Sequence, residues 1–106
     1  MASIRQRLPD LTIAASGTTS NSIAMNDLSA LELYAPSALT GTITIEVSPD
    51  GGTSWFTKQS GGSDISIAAN KAVTIEPSVG NLVRLKSGSA EASARTFLAY
   101  GVWENR

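Results

Sequence analysis

Short runs in which apolar and polar residues alternate recur along this chain, and Gly, Pro, Asn and Asp punctuate them. A period of two puts successive side chains on opposite faces of a strand, so the pattern predicts an all-β fold. Leu11-Thr12-Ile13 predicts a first strand, ended by Ser16 to Asn21. Ser22 to Met25 predicts a second, with Ile23 and Met25 on one face, and Leu31 to Tyr34 a third, closed by Pro36. Ile43, Ile45 and Val47 line one face of the fourth, and Trp55 opens the fifth. Ile65 to Ile67 and Val73 to Ile75 follow, separated at Ala69-Asn70-Lys71. In Leu82 to Lys86, Val83 and Leu85 face inward and Arg84 and Lys86 outward; Ser87 to Thr96 is a long connection of small residues. No window of a dozen residues keeps apolar positions at helical spacing. The expectation is a single antiparallel β-sandwich of about eight strands over residues 10–106, with a jelly roll as one way to wind it. Residues 1–9 read as an N-terminal arm, because Pro9 lacks the N–H a central strand needs.

The last strand, Phe97 to Glu104, departs from the half-polar pattern. Phe97, Ala99, Gly101 and Trp103 fall on one face, and Leu98, Tyr100 and Val102 on the other. A strand apolar on both faces needs cover on both. Two covers are open: the arm or a loop of the same chain, or a second subunit. The expected interface is therefore Leu98, Tyr100, Val102 and Trp103, with Ile4, Arg5 and Arg7 of the arm.

Ser48-Pro49-Asp50-Gly51-Gly52-Thr53-Ser54-Trp55 carries the strongest local signal. Asp-Gly between alternating hydrophobic runs predicts a hairpin, since the turn needs positive φ. The stretch also fits the Asp-box pattern Ser-x-Asp-x-Gly-x-Thr/Ser-Trp, found repeatedly in the large propellers of sialidases. There the box is a folding element rather than a catalytic one. In this chain Ser48, Asp50, Gly51, Gly52 and Trp55 are accordingly expected to form a structural turn. Asp50 should accept turn amides, and the Trp55 indole should pack over the hairpin.

Composition narrows the chemistry. The chain has 106 residues, room for one domain. It has no cysteine and no histidine, which removes thiolate and imidazole chemistry and the usual zinc and copper ligands. Serines have no base, and no Gly-x-Ser-x-Gly elbow occurs. Asp50 with Asp64, or Glu46 with Glu76, are the carboxylate pairs to weigh for glycoside cleavage, and Asp50 with Asp64 for calcium; solvated surface acids explain both better. Eight basic residues against nine acidic give a net charge of −1, so no field draws in nucleic acid or an anionic membrane. No catalytic, cofactor or metal site is expected, and no enzymatic activity. A carbohydrate-binding module using Trp55 or Trp103 remains an alternative. The N-terminus lacks the apolar stretch of a secretory signal.

The run from Leu39 to Trp55, continued by Val83 to Ala92, resembles small all-β virion proteins of tailed bacteriophages. That resemblance implies a non-enzymatic structural role, foremost a capsid decoration or cement protein. It would be made in the host cytoplasm and placed in the virion. Its implied partners are the major capsid protein or other virion proteins and further copies of itself; a neck or tail component is the nearest alternative.

Overall fold

The computed structural model describes residues 2–25, 28–77 and 81–105. The strands among them are β1 (Ala2–Ile13), β2 (Ile23–Ala24), β3 (Ala30–Tyr34), β4 (Ile43–Ser48), β5 (Phe56–Thr57), β6 (Gln59–Ser60), β7 (Ser63–Asp64), β8 (Ser66–Ile67), β9 (Ala72–Ile75), β10 (Leu82–Ser87) and β11 (Arg95–Asn105). No helix occurs among the described residues. One four-stranded sheet runs β1-β11-β3-β9. A second runs β2-β10-β4-β5, with β8 also paired to β4, and β6-β7 form a small separate hairpin. Every pairing is antiparallel.

The strand count exceeds the expected eight because residues 56–67 break into four two-residue pieces. Gly61 and Gly62, both at positive φ, turn that segment too sharply for a continuous ladder. The strand expected at Trp55 begins at Phe56, where Val47 pairs Phe56 and Glu46 pairs Thr57.

The segment expected as an arm takes a different place. Residues 2–8 form the first part of β1, paired in register with 105–99 of β11. Pro9 is tolerated because β1 is an edge strand and its register slips between Leu8 and Leu11. The alternation of Ile4, Gln6 and Leu8 with Arg5 and Arg7 then fits an ordinary strand with two distinct faces.

Residues from both sheets meet in one core. Leu11, Ile13, Leu31, Leu33, Phe97 and Ala99 of the first sheet join Ile43, Ile45, Val83 and Leu85 of the second, all fully buried. Ile23 and Met25 share the core, as the sequence pattern requires, and Val47 packs against it partly buried.

Candidate functional site

Strand pairing decides which of the expected interface residues share a surface. Val102 pairs Arg5 and Ala30, Tyr100 pairs Arg7 and Glu32, and Leu98 pairs Tyr34. Directly opposed residues project to the same side of a sheet. Arg5, Arg7, Leu98, Tyr100 and Val102 therefore gather on the outer face of the first sheet, together with Glu32 and Tyr34. Ile4 pairs Trp103 and lies on the opposite, core-side face. The seven residues thus divide into two surfaces facing opposite ways.

The outer face is cross-linked by its own polar groups. Arg5 Nε donates to Glu32 Oε1 at 2.7 Å, and its Nη2 donates to the Tyr34 hydroxyl at 3.0 Å. That hydroxyl donates in turn to Glu32 Oε1 at 2.9 Å. The Arg5 guanidinium carbon lies 3.9 Å from the Tyr100 ring centroid, and Arg7 approaches the same ring at 5.8 Å while pairing with Asp10 at 2.8 Å. Tyr34 and Tyr100 meet edge to face at 5.7 Å. The Arg5 hydrogen bond, then the Tyr34 hydroxyl, hold the Glu32 carboxyl below the usual carboxylate range. The second face of β11 is thus roofed only in part, by side chains reaching over from β1 and β3. Leu98 stays 36% exposed there.

The 48–55 turn takes the form its sequence announces. Gly51 and Gly52 have φ of 74° and 98°, values that L side chains resist. Buried Ser48 donates to Asp50 Oδ1 at 2.8 Å and accepts from the Gly52 amide at 2.8 Å. Asp50 Oδ1 also accepts the Ser54 amide at 2.9 Å. That amide first, then the Ser48 hydroxyl, lower the Asp50 carboxyl from its ordinary value. Trp55 Nε1 donates to the Gly52 carbonyl at 3.1 Å, and Arg84 covers the indole at 4.1 Å while pairing with Glu46 at 2.8 Å.

A third cluster has no counterpart in the sequence expectations. Glu91, fully buried in the connection before β11, gathers four donors. Its Oε1 accepts the Thr40 amide at 2.8 Å and Arg95 Nε at 2.9 Å; its Oε2 accepts the Gly41 amide at 2.9 Å and the Ser87 hydroxyl at 2.6 Å. Glu91 N donates to the Gly17 carbonyl at 3.0 Å. Burial opposes ionisation, yet the donors outweigh it and bring the carboxyl down to about 2. Gly41 is required by close approach: a Cβ there would overlap Ser87 Oγ and lie 2.7 Å from the Ser89 amide nitrogen. The cluster fastens the 14–18, 36–42 and 88–94 loops together at one end of the strands. The one sequence hint is an acid and a base four residues apart inside an otherwise small-residue loop.

Other candidates separate in space. Glu46 lies on the second sheet, and Glu76 follows β9 of the first. Asp50 is bound within its own turn, and Asp64 accepts Gln59 Nε2 at 2.8 Å within the β6-β7 hairpin. No group of three or more potential metal ligands occurs among the described residues, and no helix among them is long and apolar enough to cross a membrane. A groove of about 310 Å³ lies between Lys58, Gln59, Ile65, Thr74 and Glu76. A second pocket, of about 270 Å³, is lined by Leu39, Ile67, Ala68 and Ala69 together with Gly41, Thr42 and Ser66.

No family model matches the chain, and no curated protein matches it. Among solved structures it is similar to a Bacillus endospore appendage protein, of a family of disulfide-linked pili. The two share 17% identity and a TM-score of 0.53, over 98% of this chain and 89% of the other. It also aligns with the Yersinia pseudotuberculosis-derived mitogen at 13% identity and a TM-score of 0.46, over 99% of this chain and 88% of that one. The first likeness shows a shared β fold.

Proposed function

We propose that this protein is a non-enzymatic structural subunit of a bacteriophage virion, a capsid decoration or cement protein whose outer β1-β11-β3 face docks on the major capsid protein. The observation that carries this reading is the face itself. It presents Tyr34, Tyr100 and Arg5, residue types enriched at interface hot spots, beside the partly exposed Leu98 on paired strands. Its guanidinium and carboxylate groups are already paired, so docking would strand no lone charge. The phage-like sequence runs support the setting. The fold's likeness to a pilus protein supports an assembling role; with no cysteine here, any joint would be non-covalent.

The sugar-binding alternative draws less support. One side of the Trp55 indole is taken by Arg84, and Tyr34 and Tyr100 stand at 86° rather than forming a coplanar platform.

The test is co-sedimentation with cognate capsids stripped of this protein. Wild type is expected to bind saturably and Leu98→Glu to lose binding while melting normally. A wild-type protein that stays monomeric at high concentration and leaves capsids bare refutes the proposal.

A further inference from the structure

The first strand is built in two unlike halves. Leu11 and Ile13 are fully buried in the core. Asn21 clamps the same half: its Oδ1 accepts the Thr12 amide at 2.8 Å, and its Nδ2 donates to the Asp10 carbonyl at 3.0 Å. In the other half, residues 4–7 lie exposed at the surface. There the backbone of 2–8 pairs without a break with 105–99 of β11, and Arg5 bonds to Glu32 and Tyr34 and stacks on Tyr100.

The halves meet at a bulge. Leu8 pairs Ala99 and Leu11 pairs Phe97, so Pro9 and Asp10 stand opposite the single residue Leu98. Pro9 has no amide hydrogen to give the ladder, and it biases Leu8 toward extended backbone. The ladder is thus broken at one point, between an anchored half and a surface half. On the other side of β11, the pairing with β3 ends at Val102 and Ala30. Among the described residues, 2–4 and 103–105 continue as a two-stranded ribbon, an arrangement that is marginal by itself in water.

We propose that residues 2–8 exchange between two copies of this chain, each segment pairing with the β11 of the other copy and hinging at Pro9-Asp10, to give a two-fold dimer. The surface and its occupant are both present, already joined, within the single chain. The exchanged joint keeps the seven backbone pairs from Ala2 to Leu8 and the bonds of Arg5 to Glu32 and Tyr34, once in each direction. These contacts are the same within one chain and between two, so their strength cancels and concentration decides. The dimer competes when copies approach the effective concentration of a tethered segment, on the order of millimolar for a short linker. Dilute protein is accordingly monomeric, and exchange occurs in concentrated solution or where copies are held side by side. The exchange does not depend on what the outer face docks against, since Arg5 then reaches that face from the other copy.

The chain has no cysteine, which makes the test direct. Arg5 and Val102 stand opposite each other across β1 and β11, close enough for a short bis-maleimide to join cysteines placed there. Arg5→Cys and Val102→Cys chains are mixed, unfolded in urea, refolded together near millimolar concentration and treated with the reagent. Exchange is expected to give a heterodimer joined between positions 5 and 102, identified by mass spectrometry. Its yield should lie well above that from Arg5→Cys mixed with Gln59→Cys, whose exposed site is off this ladder. Losing the Arg5 contacts weakens the segment equally at home and in the other copy, so it does not bias the comparison. The double variant Arg5→Cys/Val102→Cys, joined within one chain at micromolar concentration, holds the segment at home. In sedimentation velocity it should stay monomeric at concentrations where the unjoined double variant and wild type form dimers. Wild type that refolds as a monomer near millimolar concentration, a 5–102 heterodimer no more abundant than the control, or a joined chain that dimerises as readily as the unjoined one each overturns the proposal.

Discussion

Replacing Glu91 by Gln should do more to this protein than its conservative look suggests. Both carboxylate oxygens are acceptors, each facing two donors: Thr40 N and Arg95 Nε on one, Gly41 N and Ser87 Oγ on the other. A Gln amide keeps one oxygen and points an NH₂ at the remaining pair, donor against donor, and it leaves the Arg95 guanidinium without its counter-charge. The folded carboxyl titrates at about 2 against an ordinary 4.5. At about 1.4 kcal/mol per unit, the ionised form then contributes roughly 3 kcal/mol to folding at neutral pH. The folded-state value is depressed, so this contribution is fully present above about pH 4.5 and is lost as pH falls toward 2.

Urea titrations of wild type and Glu91→Gln at a series of pH values, followed by circular dichroism, would measure this directly. At pH 7 the variant should lose roughly 3 kcal/mol, which for a domain of this size is a fall in Tm of roughly 12 °C. Between about pH 5 and 2 the gap should close, because the wild type gives up what the variant never had. A gap under about 0.5 kcal/mol at pH 7, within the range of ordinary surface substitutions, refutes the reasoning. So does a gap that stays constant on acidification.

Two further changes probe neighbouring claims. Gly41→Ala forces a methyl against Ser87 and the Ser89 amide; it should destabilise by a similar amount, and the double variant with Glu91→Gln should lose much less than the sum, as residues of one network do. Strict additivity in denaturant titrations would break the single-cluster account. Gly52→Val must hold a β-branched residue at φ 98°, costing about 1–3 kcal/mol in thermal melts with no change of function; a hydrolytic activity lost on this change with folding intact would return the turn to catalysis.

The strand pattern was legible because period two is a local property. Val83 and Leu85 point inward and Arg84 and Lys86 outward, as their alternation requires. The 48–55 turn was legible for the same reason: Asp-Gly-Gly between strands leaves the backbone few options. Of the two-residue strands in 56–67, β5 and β8 fall within the runs expected at Trp55 and at Ile65 to Ile67, whereas β6 and β7 were not legible, since polar Gln, Ser and Asp carry no facing preference and only the finished sheet assigns them. The arm was misplaced because Pro9 marks an edge or a bulge as readily as a strand end, and which of these it is depends on β11, ninety residues away. Glu91 was invisible for a related reason. Its donors come from Thr40, Gly41, Ser87 and Arg95, and nothing along the chain announces that three loops meet there.

The division of the expected interface has a physical consequence. Had Ile4, Trp103, Tyr100 and Leu98 shared one surface, a single large apolar patch would have favoured a closed dimer and left little for a second partner. The strict alternation of β1 against β11 instead puts Arg5 and Tyr100 on one side and Ile4 on the other. The polar-aromatic cluster and the exposed Ile4 are thereby separated by the thickness of the sheet. Substitutions of Tyr100 and of Ile4 should therefore change stability additively in denaturant titrations, since sites without shared partners do so, and a clear departure from additivity would show that the two sides are coupled through the sheet.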